Sequence, residues 1–439
     1  MTTSNFVPRM FRAHQLFPRP RVEDIPATVL EELEQLFSDG QTSLRPGMKI
    51  GVTVGSRGIA EIATIARAAV DFFKSLRIEA FIIAAMGSHG GATAEGQRSL
   101  IAHYGVTEDA MGCPVRCEME TLSLGRGAAD VEVFMARTAW ESDGILLLNR
   151  IKPHTDFKGK IESGLAKICA IGLGKLEGAR EYHSRIFDLG LEQAIRIATE
   201  KILATGKIIG GLGILENAYH ETARLAAVPV SCFFDTEEKL LLEAKGLMGR
   251  LPFDEVDLLI CDRIGKNISG TGLDTNIIGR SVHGYIQGVP WIEGMPAIHR
   301  IFVRDLSEET DGNGVGMGLA DFSTSRMMQK VDQRVTQLNA FTARTPFGAK
   351  QPALLATDRE AIATALSTCR PRAEGPLVVH IQDTLALECV SLSEAFLPAA
   401  RSTSSLEVLS DPEPMRFDSE GWMRSPFQGV ADSKLHAES

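Results

Sequence analysis

Short apolar runs alternate with amphipathic stretches from residue 48 onward. MKIGVTV (48–54) and IEAFIIAAM (78–86) have the length of strands, whereas IAEIATIARAAVDFFKSL (59–76) and Thr93–Tyr104 are helical in pattern. Further strands are predicted at 143–149, 207–214 and 256–261, and helices at about 186–204 and 235–247. This β-α-β-α order predicts an α/β fold, with a largely parallel or mixed sheet covered by helices.

The length of the chain indicates two such domains. With 439 residues and 44% hydrophobic content, the chain is too long for one small core and too apolar for disorder. We place the boundary after Leu251, because Pro252 and an acidic stretch follow it. Residues 1–251 then form an N-terminal cofactor and catalytic domain, and residues 252–439 form a C-terminal domain that closes an active-site crevice between the two. Whether the last segment packs back on the first domain stays open.

Two glycine-rich stretches mark loops of the C-terminal domain. They are GKNISGTGLDTNIIGR (265–280) and DGNGVGMGLADF (311–322). Glycine allows positive φ and lets a backbone approach a ligand closely, so these loops are candidates to line the active site. Ordinary turn chemistry between strands is the alternative.

Charge and composition exclude several classes of protein. The net charge is −10, without long blocks of like charge, which argues against non-specific binding to nucleic acid. The N-terminus lacks the apolar core of a signal peptide, and no run approaches the roughly 18 apolar residues of a membrane span. We therefore expect a cytoplasmic protein without a membrane partner. The seven cysteines are mostly single residues in apolar segments, as reduced core thiols are.

Two loops that follow predicted strands carry candidate chemistry. In parallel α/β sheets, ligands bind beyond the carboxyl ends of the strands. The loop Val54–Gly58 contains Ser56, Arg57 and Gly58 before a helix, and these are the parts of an anion site. The loop Met86–Thr93 presents His89 among glycines and Ser88, where the ring has little local packing of its own.

A third loop, after the predicted strand 143–149, is rich in lysine and contains His154. Lys167 lies beyond it in the apolar stretch SGLAKICAIGLG. Desolvation there would make Lys167 an amine nucleophile, although a snorkelling surface lysine gives the same pattern. His183 opens a helical pattern and is a candidate base or metal ligand. No cluster has zinc spacing, so a metal held by protein ligands alone is not predicted.

At these positions the chain resembles the nickel-dependent lactate racemase family, whose members use a nickel-pincer nucleotide. Gly87-Ser88-His89 is similar to the family's first histidine loop, and Asn149 to His154 is similar to its second. Lys167 and His183 are sixteen positions apart, an interval typical of the lysine that tethers the cofactor and the histidine that binds nickel. The resemblance covers the first domain and is weaker in the second.

The resemblance implies a racemase or epimerase of a small 2-hydroxyacid. Hydride passes from C2 of the substrate to the cofactor ring and returns to the opposite face, while His89 and His154 exchange the hydroxyl proton. Ser56, Arg57 and Gly58 would hold the cofactor phosphate. Ser88, Lys266 and Asn267 are assigned to the substrate. The sequence does not decide between a monomer and a homo-oligomer.

Other assignments remain open. The segment before Lys167 reads Gly-Leu-Ala-Lys where the family has Gly-Gly-Arg-Lys, so Lys160 and Lys175 are alternative tethers. A Schiff-base lyase or aldolase that uses Lys167 without nickel is the second functional hypothesis. A non-catalytic protein that binds a phosphate ligand is the third.

Overall fold

A computed structural model describes residues 6–38, 43–56 and 58–427 of the chain. It divides into two compact units. Pro18–Met248 is called the 18–248 unit, and the described residues of Met1–Phe17 and Gly249–Ser439 are together called the 249–439 unit. This division departs from the sequence-based one in two ways. The boundary follows Met248 rather than Leu251, and the N-terminal residues belong with the C-terminal part of the chain.

The described residues form seventeen β-strands. In chain order these are β1 Arg9–Gln15, β2 Lys49–Val54, β3 Glu79–Ala84, β4 Val115–Arg116, β5 Thr121–Arg126, β6 Glu132–Ala136, β7 Gly144–Arg150, β8 Ile208–Glu216, β9 Thr222–Val228, β10 Glu255–Ile264, β11 Ala297–Leu306, β12 Phe322–Thr324, β13 Ala353–Leu355, β14 Val378–Ile381, β15 Cys389–Ser393, β16 Leu406–Val408 and β17 Glu413–Pro414.

The same residues form fourteen α-helices. These are α1 Ile25–Phe37, α2 Ile62–Ser75, α3 Ala94–His103, α4 Glu108–Met111, α5 Arg137–Trp140, α6 Leu165–Lys167, α7 Lys175–Ser184, α8 Leu191–Leu203, α9 Phe233–Leu247, α10 Thr275–Ile278, α11 Ser325–Lys330, α12 Gln333–Thr342, α13 Asp358–Ser367 and α14 Leu397–Ser402. The strands and helices predicted from the sequence are confirmed, with shifts of a few residues at their ends.

The 18–248 unit contains a six-stranded sheet in the order β4-β3-β2-β7-β8-β9. All neighbouring pairs are parallel except β8 and β9. Successive side chains of a strand point to opposite faces of the sheet, and both faces are covered by helices. Leu146 and Leu148 of β7 pack in one core with α1 and α2, whereas Ile145 and Leu147 pack in the other with α8 and α9. The predicted α/β class is thereby confirmed.

The 249–439 unit contains a nine-stranded sheet in the order β13-β12-β11-β10-β14-β15-β1-β16, with β17 also paired to β1. The strands from β13 to β14 are parallel, and those from β14 onward are antiparallel. β1 joins this sheet through β15, with Phe11 opposite Leu392. The described C-terminal strands β16 and β17 also pair with β1, so they lie in this unit.

The two glycine-rich stretches of the 249–439 unit pack against each other. A Cβ atom at Gly272, where φ is +78°, would lie 1.8 Å from the carbonyl oxygen of Val315. A Cβ at Gly316, where φ is +104°, would lie 2.3 Å from the carbonyl oxygen of Thr271. These two glycines are therefore explained by close contact between backbones, without a ligand.

None of the helices within the described ranges is both long enough and apolar enough to cross a membrane.

Candidate active site

Three loops of the 18–248 unit follow neighbouring strands at the edge where those strands end. Gly55, Ser56 and Gly58 follow β2, the loop of His89 follows β3, and the loop of His154 follows β7. Since β3, β2 and β7 are consecutive and parallel, their carboxyl ends lie side by side. The predicted residues of these loops thus share the edge at which open α/β sheets bind ligands.

Ser56 connects the first loop to the second. Its hydroxyl is hydrogen-bonded to Nδ1 of His89, whose side chain is exposed. The hydroxyl of Tyr104 donates to the carbonyl oxygen of Ser56 at 3.4 Å. Gly58 is exposed. Arg57, the predicted phosphate ligand between Ser56 and Gly58, lies outside the described residues. The bond to Ser56 fixes one nitrogen of the His89 ring.

A buried glutamine holds the His89 loop from beneath. Gln97 of α3 is fully buried, and its Nε2 donates to the carbonyl oxygens of Gly87 at 2.9 Å and His89 at 3.3 Å. Its Oε1 accepts from Nζ of Lys175 at 3.0 Å, and that amine also donates to the carbonyl oxygen of Ala84 at 2.6 Å. Lys175 therefore helps to position His89 through Gln97.

The three candidate lysines differ in their surroundings. Lys175 is only 1% exposed, and burial lowers the pKa of its amine to about 8. Lys160 is exposed, and Lys167 is half-buried. A tether must reach a ligand, and the buried amine of Lys175 is already bonded to two oxygens of the protein. This favours Lys167 over Lys175.

His154 and Lys167 form a hydrogen-bonded pair of reactive groups in the site. Nε2 of His154 lies 2.5 Å from Nζ of Lys167. The backbone N–H of Asp156 donates to Nδ1 of the same ring at 3.0 Å. The ring also packs on Phe157, with centroids 4.6 Å apart. Each nitrogen of the His154 ring thus has a defined partner.

A buried carboxylate shapes the loop that carries His154. The side chain of Glu162 has no exposed surface, and it accepts from the backbone N–H of His154 at 2.6 Å. Nζ of Lys245 lies 2.7 Å from one of its oxygens, and Nζ of Lys158 lies 3.5 Å from the other. Two lysine ammonium groups compensate the buried charge of Glu162, which can therefore hold the backbone of the His154 loop.

A second buried acid lies beneath the short helix that carries Lys167. Oε2 of Glu237 accepts from the backbone N–H of Ala166 at 2.9 Å, and burial raises the pKa of this carboxyl to about 7. The carboxyl approaches so closely that a Cβ at Gly164 would lie 2.0 Å from Oε1. Asn149 completes the anchor, because its Nδ2 donates to the carbonyl oxygen of Gly164 at 2.9 Å.

A wide helical turn separates Lys167 from His183. Ile168–Gly172 form a π-helix, a type of turn that is frequent at functional sites. The backbone N–H of Gly87 donates to the carbonyl oxygen of Gly172 at 3.3 Å, which joins this turn to the His89 loop. In α7, Nδ1 of His183 lies 2.6 Å from the carbonyl oxygen of Ala179. Nδ1 must therefore donate, and the neutral ring has its lone pair on Nε2.

The residues assigned to the substrate belong to different units. Ser88 is half-buried in the His89 loop, whereas Lys266 and Asn267 follow β10 in the 249–439 unit. Nζ of Lys266 donates to the carbonyl oxygen of Gly270 at 2.6 Å, and Oδ1 of Asn267 accepts from Oγ of Ser307 at 2.6 Å. Among the residues that the structure describes, no group of three or more His, Cys, Asp or Glu side chains could hold a metal ion.

Sequence reasoning missed the residues that hold the site in place. Glu237 falls in the apolar stripe of α9 with Phe233, Leu240 and Ala244. An acidic residue at a position where the helical spacing predicts burial is the sequence signal that could have identified it. Gln97 gave no such signal, because a polar residue in an amphipathic helix is ordinarily solvated.

The comparisons with known proteins assign no family. No protein-family model matches the sequence, and no curated protein matches it. Among solved structures, the lactate racemase apoprotein from Thermoanaerobacterium thermosaccharolyticum is similar, with 13% identity and a TM-score of 0.44. The match covers 82% of this chain and 85% of that one. At a TM-score below 0.5, this likeness assigns neither a fold family nor a function to the chain.

Proposed function

We propose that this chain is an isomerase that inverts C2 of a small 2-hydroxyacid with the help of a nickel-pincer nucleotide. The hydrogen bond between His154 and Lys167 carries the proposal. It puts a ring that can exchange a proton beside the lysine that, by the sequence resemblance, bears the cofactor. The position of His89 on the neighbouring strand end supports the second histidine role.

The residues present fit such a cofactor. Lys167 is half-buried in the segment that follows β7, where its amine would receive the ligand. The bond from His183 to Ala179 leaves the lone pair of the neutral ring on Nε2, as a metal ligand requires. Ser56 and Gly58 would contribute to binding the phosphate. When bound, the cofactor supplies a reversible acceptor for the hydrogen and electron pair of substrate C2.

The chain itself would move the proton of the substrate hydroxyl. Inversion requires a proton acceptor for each face of the substrate, and histidine exchanges protons near neutral pH. Nδ1 of His89 is fixed by Ser56, and Nδ1 of His154 is fixed by the N–H of Asp156. In the His89 ring, Nε2 is then the atom that gives and takes the proton. In the His154 ring, the N–H of Asp156 requires Nδ1 to accept, so Nε2 carries the proton that this ring can give.

The same hydrogen bond favours one competing function. A lysine amine beside an imidazole is also the arrangement of a Schiff-base enzyme, with His154 as its acid and base. That enzyme would need no nickel. A protein that only binds a phosphate ligand would need neither His154 nor Lys167.

Metal and mass analysis distinguish the three functions. The full chain is produced together with the enzymes that make the cofactor, and nickel, the mass at Lys167 and racemisation of a panel of 2-hydroxyacids are measured. We expect nickel, an added mass on Lys167 and loss of optical activity. A metal-free, unmodified protein that is active would exclude the racemase, and one that only binds phosphate compounds would favour the third function.

Single substitutions test the histidine roles. His183→Ala should lose nickel and keep its fold, whereas His89→Ala and His154→Ala should keep nickel and lose racemisation. His103→Ala is the matched control, because His103 is exposed at the end of α3. Nickel retained in His183→Ala would reassign the metal ligand.

A further inference from the structure

The protonation of the His154 ring follows from its hydrogen bonds. The backbone N–H of Asp156 can only donate, so Nδ1 of His154 must accept and carries no proton. A neutral imidazole has one ring proton, which is then on Nε2. The protein thereby selects one of the two tautomers of His154.

This tautomer determines the state of Lys167. Nε2 of His154 donates its proton toward Nζ of Lys167, 2.5 Å away, and an ammonium group has no lone pair to accept it. A charged Lys167 would need an unprotonated Nε2, which the bond from Asp156 excludes for a neutral ring. An acceptor at Nζ is a neutral amine.

We propose that His154 holds Lys167 as a neutral amine, which makes Lys167 a nucleophile toward carbonyl and activated carboxyl compounds in the protein without cofactor. Lys167 is then a covalent attachment site in its own right. The identity of the attached group as a nickel cofactor rests on the proposed function, whereas the reactivity of the amine does not.

The charged groups around the pair are consistent with a neutral amine. In the loop of His154, Glu162 is compensated by Lys158 and by Lys245 of α9. The acid of α9 beneath this helix is Glu237, and burial favours its neutral form by raising the pKa of the carboxyl to about 7. Asp156 engages the ring through its backbone N–H. The charge of Glu162 is thus taken up by two other lysines.

The attachment step balances without a further reactant. The lone pair of Nζ attacks the carbonyl carbon and forms the C–N bond, while the π pair of the C=O bond moves to oxygen. His154 gives its Nε2 proton to that oxygen and takes a proton from the new ammonium. With an aldehyde, the carbinolamine then loses water to give an imine. With an activated carboxyl, the leaving group departs with its bonding electron pair and the proton of the new hydroxyl, the C=O bond re-forms, and an amide remains.

Trace acetylation measures the proposed reactivity directly. The full chain without cofactor and N-acetyl-lysine are acetylated with acetic anhydride in one tube, and acetyl-Lys167 is quantified by peptide mass spectrometry. The reference amine has a pKa of about 10.4, so its rate rises about tenfold per pH unit from pH 6.5 to 9.5. We expect Lys167 to react about tenfold or more faster than the reference at pH 7, with little change at higher pH.

The role of His154 is tested in two ways. His154→Gln should lower the acetylation of Lys167 at pH 7 by about tenfold or more, whereas the control His103→Gln should leave it unchanged. Ring nitrogen NMR of the unaltered protein should show the proton of His154 on Nε2, which does not depend on whether the variant folds.

Several results would overturn the inference. These are a pH profile of Lys167 parallel to the reference, no acetylation of Lys167 at any pH, or a ring proton on Nδ1. The proposed function fails separately. If the protein never takes up nickel but shows the expected acetylation profile, the racemase proposal fails and the neutral amine of Lys167 stands. If the protein binds nickel but Lys167 has an ordinary acetylation profile, the racemase proposal stands and the neutral amine fails.

Discussion

The buried carboxyl of Glu237 should make the stability of the 18–248 unit depend on pH. Glu237 supports the N-terminus of the helix that carries Lys167, and its Oε1 has no hydrogen-bond partner among the described residues. The perturbation is Glu237→Gln, which keeps the shape of the side chain and an oxygen for the N–H of Ala166. Its amide cannot ionise.

The magnitude follows from the shift in the pKa of Glu237. Burial raises it from an ordinary 4.5 to about 7. Below the ordinary value the carboxyl is protonated in both folded and unfolded states. Between the two values only the unfolded chain ionises, so the free energy of unfolding falls as pH rises, by about 1.4 kcal/mol per unit. Above about pH 7 the total loss reaches about 3 kcal/mol.

Urea unfolding at several pH values between 4.5 and 8 measures this loss. The transition of the 18–248 unit is followed by labelling of Cys169 with a maleimide, because this thiol is fully buried in the same core. The wild type should lose stability relative to Glu237→Gln by about 3 kcal/mol across this range. Any fixed cost of the amide shifts the variant equally at every pH and does not affect the difference.

The control is Glu243→Gln, which removes a negative charge from a half-exposed position of the same helix. Subtracting its pH dependence leaves the part that is due to burial of Glu237. A stability difference between wild type and Glu237→Gln that stays constant within about 0.5 kcal/mol would refute the reasoning. The carboxyl would then be ionised or solvated in the folded protein.

Two further substitutions test the supports of the site. Gly164→Ala should destabilise the protein by about 1–3 kcal/mol in thermal unfolding, since the new Cβ would meet a buried carboxyl oxygen at 2.0 Å. The control Gly246→Ala should be neutral or stabilising, because its Cβ meets nothing within 4 Å. Lys175→Met should accelerate amide hydrogen exchange in residues 84–92, because it removes a buried hydrogen-bond donor, which costs about 1–3 kcal/mol. The control Lys160→Met changes an exposed lysine and should leave this exchange unchanged.

The parallel part of the fold was predictable because each strand is a continuous apolar run. Strands buried on both faces, such as β3 and β7, carry this signal locally. β1 does not, since RMFRAHQ is neither a continuous apolar run nor a regular alternation, and it pairs with β15 more than 370 residues away. Its assignment to the 249–439 unit depends on this long-range pairing, which the local pattern does not encode.

The positions of the candidate reactive side chains were predictable from the sequence, whereas those of the side chains that support them were not. His89 and His154 lie in loops that follow apolar strands, and the rule that ligands bind at strand ends selects such positions. Glu162 and Glu237 act through burial and through bonds to backbone N–H groups, and Glu162 is also paired with Lys245 of α9. Those bonds depend on how α9 and the loops pack, which no spacing in the sequence specifies.

The difference between Lys167 and Lys175 arises from an irregular helix. On an uninterrupted α-helix, positions eight residues apart are separated by about 80° around the axis, so both lysines would face similar surroundings. Here the π-helix at Ile168–Gly172 and a φ of 51° at Lys175 break that relation. Lys167 therefore reaches His154 directly, whereas Lys175 reaches the loop of His89 through a buried glutamine. One helical segment thus supplies a lysine that bonds to His154 and a second lysine that bonds to the glutamine beneath the His89 loop, and only the second of these lysines is buried.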